Sequence, residues 1–147
     1  MRKFCLFLLA IIGTFFTAYA QVVVTTPEFP AISTPVTIVF DAAQGNRGLM
    51  DYIGDVYAHT GVITDESEDD SDWRYASLWN SNEEKYKMVS MGGNKWKLEI
   101  APDMRSYYGA PVGEVIKKMA FVFRSADRTK EGKDVGNKDI FVKVYEE

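Results

Sequence analysis

Three observations predict an all-β chain. About seven short stretches alternate apolar and polar residues, turn-forming residues separate them, and no segment sustains an amphipathic helical period. Seven strands at this spacing are the pattern of an immunoglobulin-like antiparallel β-sandwich. A barrel would also close such a set, but a proline-interrupted first strand and a long last connection suit a sandwich better.

The first twenty residues are set apart from the fold. Arg2 and Lys3 make a positive start, Phe4 to Phe16 is almost wholly apolar, and Ala18-Tyr19-Ala20 has the small-x-small form of a cleavage site. The apolar run is too short for a convincing membrane span, so export and cleavage before Gln21 are expected, with a retained anchor as the alternative. The protein is then expected in the periplasm, on the cell surface or outside the cell, with no membrane span after cleavage. Removing 20 of 147 residues leaves a chain of 127, which fits one domain, residues 21–147.

The only cysteine, Cys5, falls within the leader, so the mature chain must rely on an apolar core without disulfides. Losing Arg2 and Lys3 changes 17 basic against 21 acidic residues to 15 against 21, a net charge of about −6. Nucleic acid wants a basic stripe, so it is a poor partner for this domain, as is an anionic membrane surface. Neutral ligands, cations and other proteins remain open.

In chain order, Gln21 to Thr26 is β-rich but followed by Pro27, Pro30 and Pro35, which predicts an edge strand. Pro35 to Asp41 is a core strand with Val36, Ile38 and Phe40 on one face. Ala42 to Tyr52 carries turn chemistry in Gly45-Asn46 and Gly48. Gly54 to Thr64 alternates again. Asp65 to Asp72, with six acids in eight residues, predicts a solvated loop. Lys85 to Met91 and Lys95 to Ile100 flank Gly92-Gly93-Asn94 as a hairpin, with Trp96, Leu98 and Ile100 turned inward. Pro102 to Gly109 predicts one helical turn, started near Asp103, ended by Gly109 and too short to pack. Lys118 to Arg124 and Asp139 to Tyr145 are the last strands, and Ser125 to Lys138 is a long polar loop between them.

Chemistry by elimination is equally informative. Any Ser-His-Asp arrangement would need His59, the sole histidine, yet it sits mid-strand and no serine lies in a nucleophile-elbow context. A strand-face histidine bonded to a neighbour is the expectation. Zinc lacks ligands here, calcium could use only the acids of residues 65–72, and their spacing is not that of an EF-hand. No metal and no cofactor are expected. Nothing singles out a carboxylate pair for glycoside hydrolysis. Trp73, Tyr75 and Trp79, by contrast, lie in a polar segment with few apolar neighbours, and clustered exposed aromatics mark binding surfaces, the alternative being that one or two of them cap the sandwich core. Sugar rings present C–H faces that stack on such rings, while their hydroxyls need polar partners. Trp96 alternates with core residues and is expected to be buried. Arg124, Asp127, Lys130, Lys133, Asp134, Asn137 and Lys138 form a second polar set, which solvates a long hairpin on the simplest reading.

These same residues carry a resemblance. The blocks Gly54-Asp55-Val56-Tyr57-Ala58-His59-Thr60-Gly61-Val62-Ile63-Thr64, Ser71-Asp72-Trp73-Arg74-Tyr75 and Leu78-Trp79-Asn80 resemble the N-terminal immunoglobulin-like (E-set) module of exported alpha-amylase-family glycoside hydrolases of Bacteroidetes. So do Arg105 to Pro111, Met119 to Asp127 and the run from Lys130 through Val142. More loosely, the last hairpin is similar to starch-binding modules, although its loop keeps Asn137 and has no tryptophan. The resemblance implies a non-catalytic module that binds or presents alpha-glucan or another neutral polysaccharide beside an amylase-type enzyme. A catalytic (β/α)₈ barrel needs about 250 residues, so the chain is either a fragment of a longer enzyme or a stand-alone accessory module. Trp73, Tyr75 and Trp79 are the expected stacking residues, with Arg74 and Asn80 as polar partners. The alternative is a purely structural module that packs on a catalytic domain.

Overall fold

Val36, Ile38 and Phe40 are fully buried while Thr37, Val39 and Asp41 are half-exposed, so the alternation in this stretch makes one strand with one face in the core. The computed structural model describes residues 20–146; the expected leader falls on residues 1–19, outside the described residues, with only Ala20 within them. The strands are β1 (Val23–Thr26), β2 (Val36–Asp41), β3 (Val56–Thr64), β4 (Val89–Gly92), β5 (Lys95–Ile100), β6 (Ile116–Ser125), β7 (Glu131–Gly132) and β8 (Ile140–Lys143), with one short helix, α1 (Met104–Tyr108), between β5 and β6.

Two antiparallel sheets form a sandwich. The first runs β1-β2-β5-β4; in the second, β6 lies between β3 on one side and both β7 and β8 on the other. β7 pairs with Phe123 and Arg124, and β8 pairs with Lys118 to Phe121, so the two short strands share one lane. Counted by lane there are seven, in the four-plus-three order of a constant-type immunoglobulin sandwich. Phe40 of the first sheet stacks on Phe123 of the second with ring centroids 4.2 Å apart, and Phe121 continues the stack at 5.5 Å. Burying each such ring contributes about 1.5–3 kcal/mol.

Several local expectations hold. β1 is an edge strand, and Trp96 is buried beside Leu98 and Ile100. The β4–β5 turn places Gly93 and Asn94 at φ of 59° and 66°, the mirror-image geometry that matches strand twist. Asp103 caps α1 by accepting the Ser106 amide, and Gly109 ends it at φ 73°.

Others are corrected. Although only five residues long, α1 does pack: Met104, Tyr107 and Tyr108 are buried, and the Tyr108 hydroxyl lies 2.7 Å from Thr60 Oγ1. Residues 84–86 form a 3₁₀ turn instead of the start of a strand, closed by the Tyr86 amide on the Glu83 carbonyl and the Lys87 amide on the Glu84 carbonyl, and Lys85 donates to the Tyr107 carbonyl and lies over its ring. The polar stretch 125–138 contains β7, which no periodicity could reveal in two residues. Gly132 explains that strand: a Cβ there would stand 2.4 Å from Phe40 Cζ and 3.1 Å from Leu49 Cδ1. Only glycine lets the chain lie this close to the stacked rings.

Gly132→Ala should therefore overpack the core and lower unfolding stability by about 1–3 kcal/mol. Urea denaturation checks this, and an unchanged midpoint would show that Phe40 yields freely.

Candidate functional site

β3 begins the site because both of its faces are covered. Val56, Ala58, Thr60 and Val62 point into the sandwich, whereas Tyr57, His59, Gly61 and Ile63 point outward beneath the excursion that follows. That excursion returns as an extended segment: Arg74 N–H donates to the Val62 carbonyl at 2.8 Å, Val62 N–H returns the bond at 3.0 Å, and Ser77 N–H bonds Thr60. Gly61 permits the approach, since a Cβ there would meet Ala76 Cβ at 2.9 Å. A glycine in mid-strand is the sequence signal for such close passage.

The acidic stretch is an ordered loop. Lys118 pairs with Asp70 at 2.8 Å, Arg74 pairs with Asp72 at 3.3 Å, and Asp69 accepts first the Ser71 hydroxyl and then the Ser71 amide, which hold its carboxyl below the usual range. Among the described residues no group of three or more His, Cys, Asp or Glu is placed to hold a metal ion. Trp73 Nε1 donates to the Asp70 carbonyl at 3.1 Å, which fixes the indole and leaves its ring to other contacts.

A groove of about 560 Å³ opens on the outer face of the second sheet. His59, Trp73, Trp79 and Val122 form its aromatic and apolar side. Glu131, Lys133 and Asp139 come from the β7–β8 lane, across β6 from His59, and Ser71, Asp72 and Ala76 also line the groove. The His59 ring stacks on Trp73 with centroids 5.3 Å apart and 24° between planes, and meets Trp79 edge-on at 5.1 Å and 85°. Phe141 extends the cluster, 6.4 Å from Trp73. The two indoles thus make a corner around the imidazole.

The ring of His59 is held by Ser77, whose Oγ lies 3.2 Å from Nδ1 and accepts the Thr60 amide at 3.1 Å. Burial first, then the positive charge of Arg124, lowers the His59 pKa, and Asp139 opposes them. The imidazole is therefore neutral at physiological pH. Asp139 bonds Lys133 at 3.0 Å, and no carboxylate among the described residues hydrogen-bonds the histidine. The Ser77–His59 contact is a tie that orients a wall of the groove.

The expected site residues separate. Trp73 and Trp79 come together, and Trp79 is 38% exposed. Arg74 reaches the groove only through Asp72, its guanidinium also donating to the Glu66 carbonyl. Tyr75 turns to the Glu114 carboxylate, and Asn80 is exposed, with its carbonyl 3.5 Å from Arg128; neither lines the groove. The β7–β8 side of the groove, Glu131 to Asp139, lies in the polar hairpin that composition reads as mere solvation. Long-range pairing of β6 brings it there.

No protein-family model matches the chain, and no curated protein matches it.

Because the folded pKa of His59 lies below 6.5, the folded state binds that proton less readily than the unfolded chain. The stability due to the neutral ring is present above pH 6.5 and is lost as pH falls from there through the folded value. NMR titration of the single histidine should give a midpoint below 6.5; a midpoint above it would contradict the stacked, half-buried placement.

Proposed function

We propose that this domain is a non-catalytic carbohydrate-binding module that holds a neutral polysaccharide, alpha-glucan first, against Trp73 and Trp79. The observation that carries this reading is the aromatic corner: two indoles at a steep angle about His59, in a groove that Glu131, Lys133 and Asp139 also line. A pyranose offers an apolar C–H face and a rim of hydroxyls, and such a corner supplies partners for both. The sequence blocks similar to alpha-amylase N-terminal modules favour alpha-glucan, and the leader-like N-terminus favours an exported protein working beside an amylase-type enzyme. Arg74 contributes by holding Asp72, which lines the groove, whereas Tyr75 and Asn80 lie outside it. Affinity is expected to be weak, because an open groove gains little against the cost of association.

A second reading has one observation in its favour. Leu78, 71% exposed, lies next to Trp79, and such an apolar step suits packing on a neighbouring catalytic domain.

Isothermal titration with maltoheptaose and retention on insoluble starch test the first reading. Trp73→Ala and Trp79→Ala should each weaken binding about tenfold, equivalent to about 1.4 kcal/mol. No heat and no retention for the native chain would reject it. Loss of stability in a larger enzyme on Trp79→Ala, with starch binding unaltered, would favour the second.

A further inference from the structure

We propose that Glu131 is the hydrogen-bonding anchor of the groove, with its carboxylate accepting two adjacent hydroxyls of a sugar ring stacked on the tryptophans. This rests on the glycan reading above and assigns its polar contact to a residue outside the aromatic segment.

The argument starts from a pairing that does not form. In the β6–β7 ladder Arg124 and Glu131 are direct partners, so their side chains share a face, and opposite charges so placed normally attract each other. Here they are not joined. Arg124, 1% exposed, donates to Asn82 Oδ1 at 2.9 Å, to the Ser125 carbonyl at 3.1 Å and to the Ser81 carbonyl. Its guanidinium lies 5.7 Å from the Trp79 ring centroid and 5.4 Å from that of Tyr57. The arginine is thus committed to the loop that carries Trp79, and Nε, its one buried polar atom without a partner, is not reached by Glu131.

The other two acids lining the groove are engaged. Asp72 pairs with Arg74 and Asp139 with Lys133. Glu131 is the lining carboxylate that has no hydrogen bond or ion pair among the described residues, although it is half-buried. A carboxylate with no protein partner keeps both oxygens free to accept donors that a ligand supplies. The side chain cannot turn inward. Gly132 must face Phe40 and Leu49 because no Cβ fits there, and successive strand residues face opposite ways, so Glu131 faces the groove.

The anchor fits neighbouring hydroxyls by number. Two carboxylate oxygens accept several hydrogen bonds at once, and vicinal hydroxyls of a pyranose present donors side by side. With the ring face on an indole, its edge is left to the β7–β8 lane, where Glu131 stands.

The test compares native protein and E131Q by titration with maltoheptaose and with its fully O-methylated form, melting temperatures being recorded for both proteins. The expected result is a Kd for maltoheptaose about tenfold higher in E131Q, with melting unchanged, and no difference between the proteins toward the methylated ligand. E131D, which keeps the charge but loses reach, should also weaken binding. If the native chain binds maltoheptaose and E131Q binds within twofold of it, the anchor is overturned and the glycan reading stands. If the native chain does not bind, both are overturned.

Discussion

Nine residues of β3, Val56 to Thr64, pair antiparallel with β6 from Ser125 back to Ile116, and this register is the constraint on which the rest depends. It sets Ala58 opposite Phe123 and Thr60 opposite Phe121 inside the sandwich, and His59 opposite Val122 and Tyr57 opposite Arg124 outside it. A slip of one residue would exchange the two sets and carry the core aromatics into water. The same ladder therefore builds the core on one face and the floor of the groove on the other. β3 is buried along nearly all its length because the second face is roofed by its own downstream chain.

Polar groups fasten both ends of that roof. Arg124 lies between Tyr57 and the Trp79 loop, and its bonds to Ser81 and Asn82 fasten the loop where an aliphatic side chain would leave carbonyls unmatched. Lys118 does the same at the other end through Asp70. Trp73 and Trp79 are thereby fixed before any ligand arrives, which reduces the ordering cost of binding.

Much of the scaffold was legible because its causes are local. Alternation identifies β2, β5 and β6, the Gly93-Asn94 turn closes its hairpin, and Asp103 with Gly109 delimits α1. The aromatic half of the groove was legible as well, because Trp73 and Trp79 are conspicuous in a polar stretch. What escaped was set by distance along the chain. The pairing of Arg74 with Val62 has no periodic trace and is betrayed only by Gly61. β7 spans two residues and owes its place to the close approach that Gly132 allows beside Phe40. Arg124 is read as a charge at a strand end, yet it is among the most buried side chains, since the loop that covers it lies about forty residues earlier. Tyr75 alternates with Trp73 in the sequence but is drawn off by Glu114 from the α1–β6 connection.

The divided last lane has a consequence for how such a domain can diversify. β7 is located by Gly132 against the core and β8 by Ile140, so residues 133–139 form a span fastened at both ends whose own length matters little to the sheet. Loop length costs closure entropy only logarithmically. Insertions and replacements in this span would reshape one bank of the groove while the sandwich folds as before, so descendants of one scaffold could acquire new recognition without renegotiating their stability.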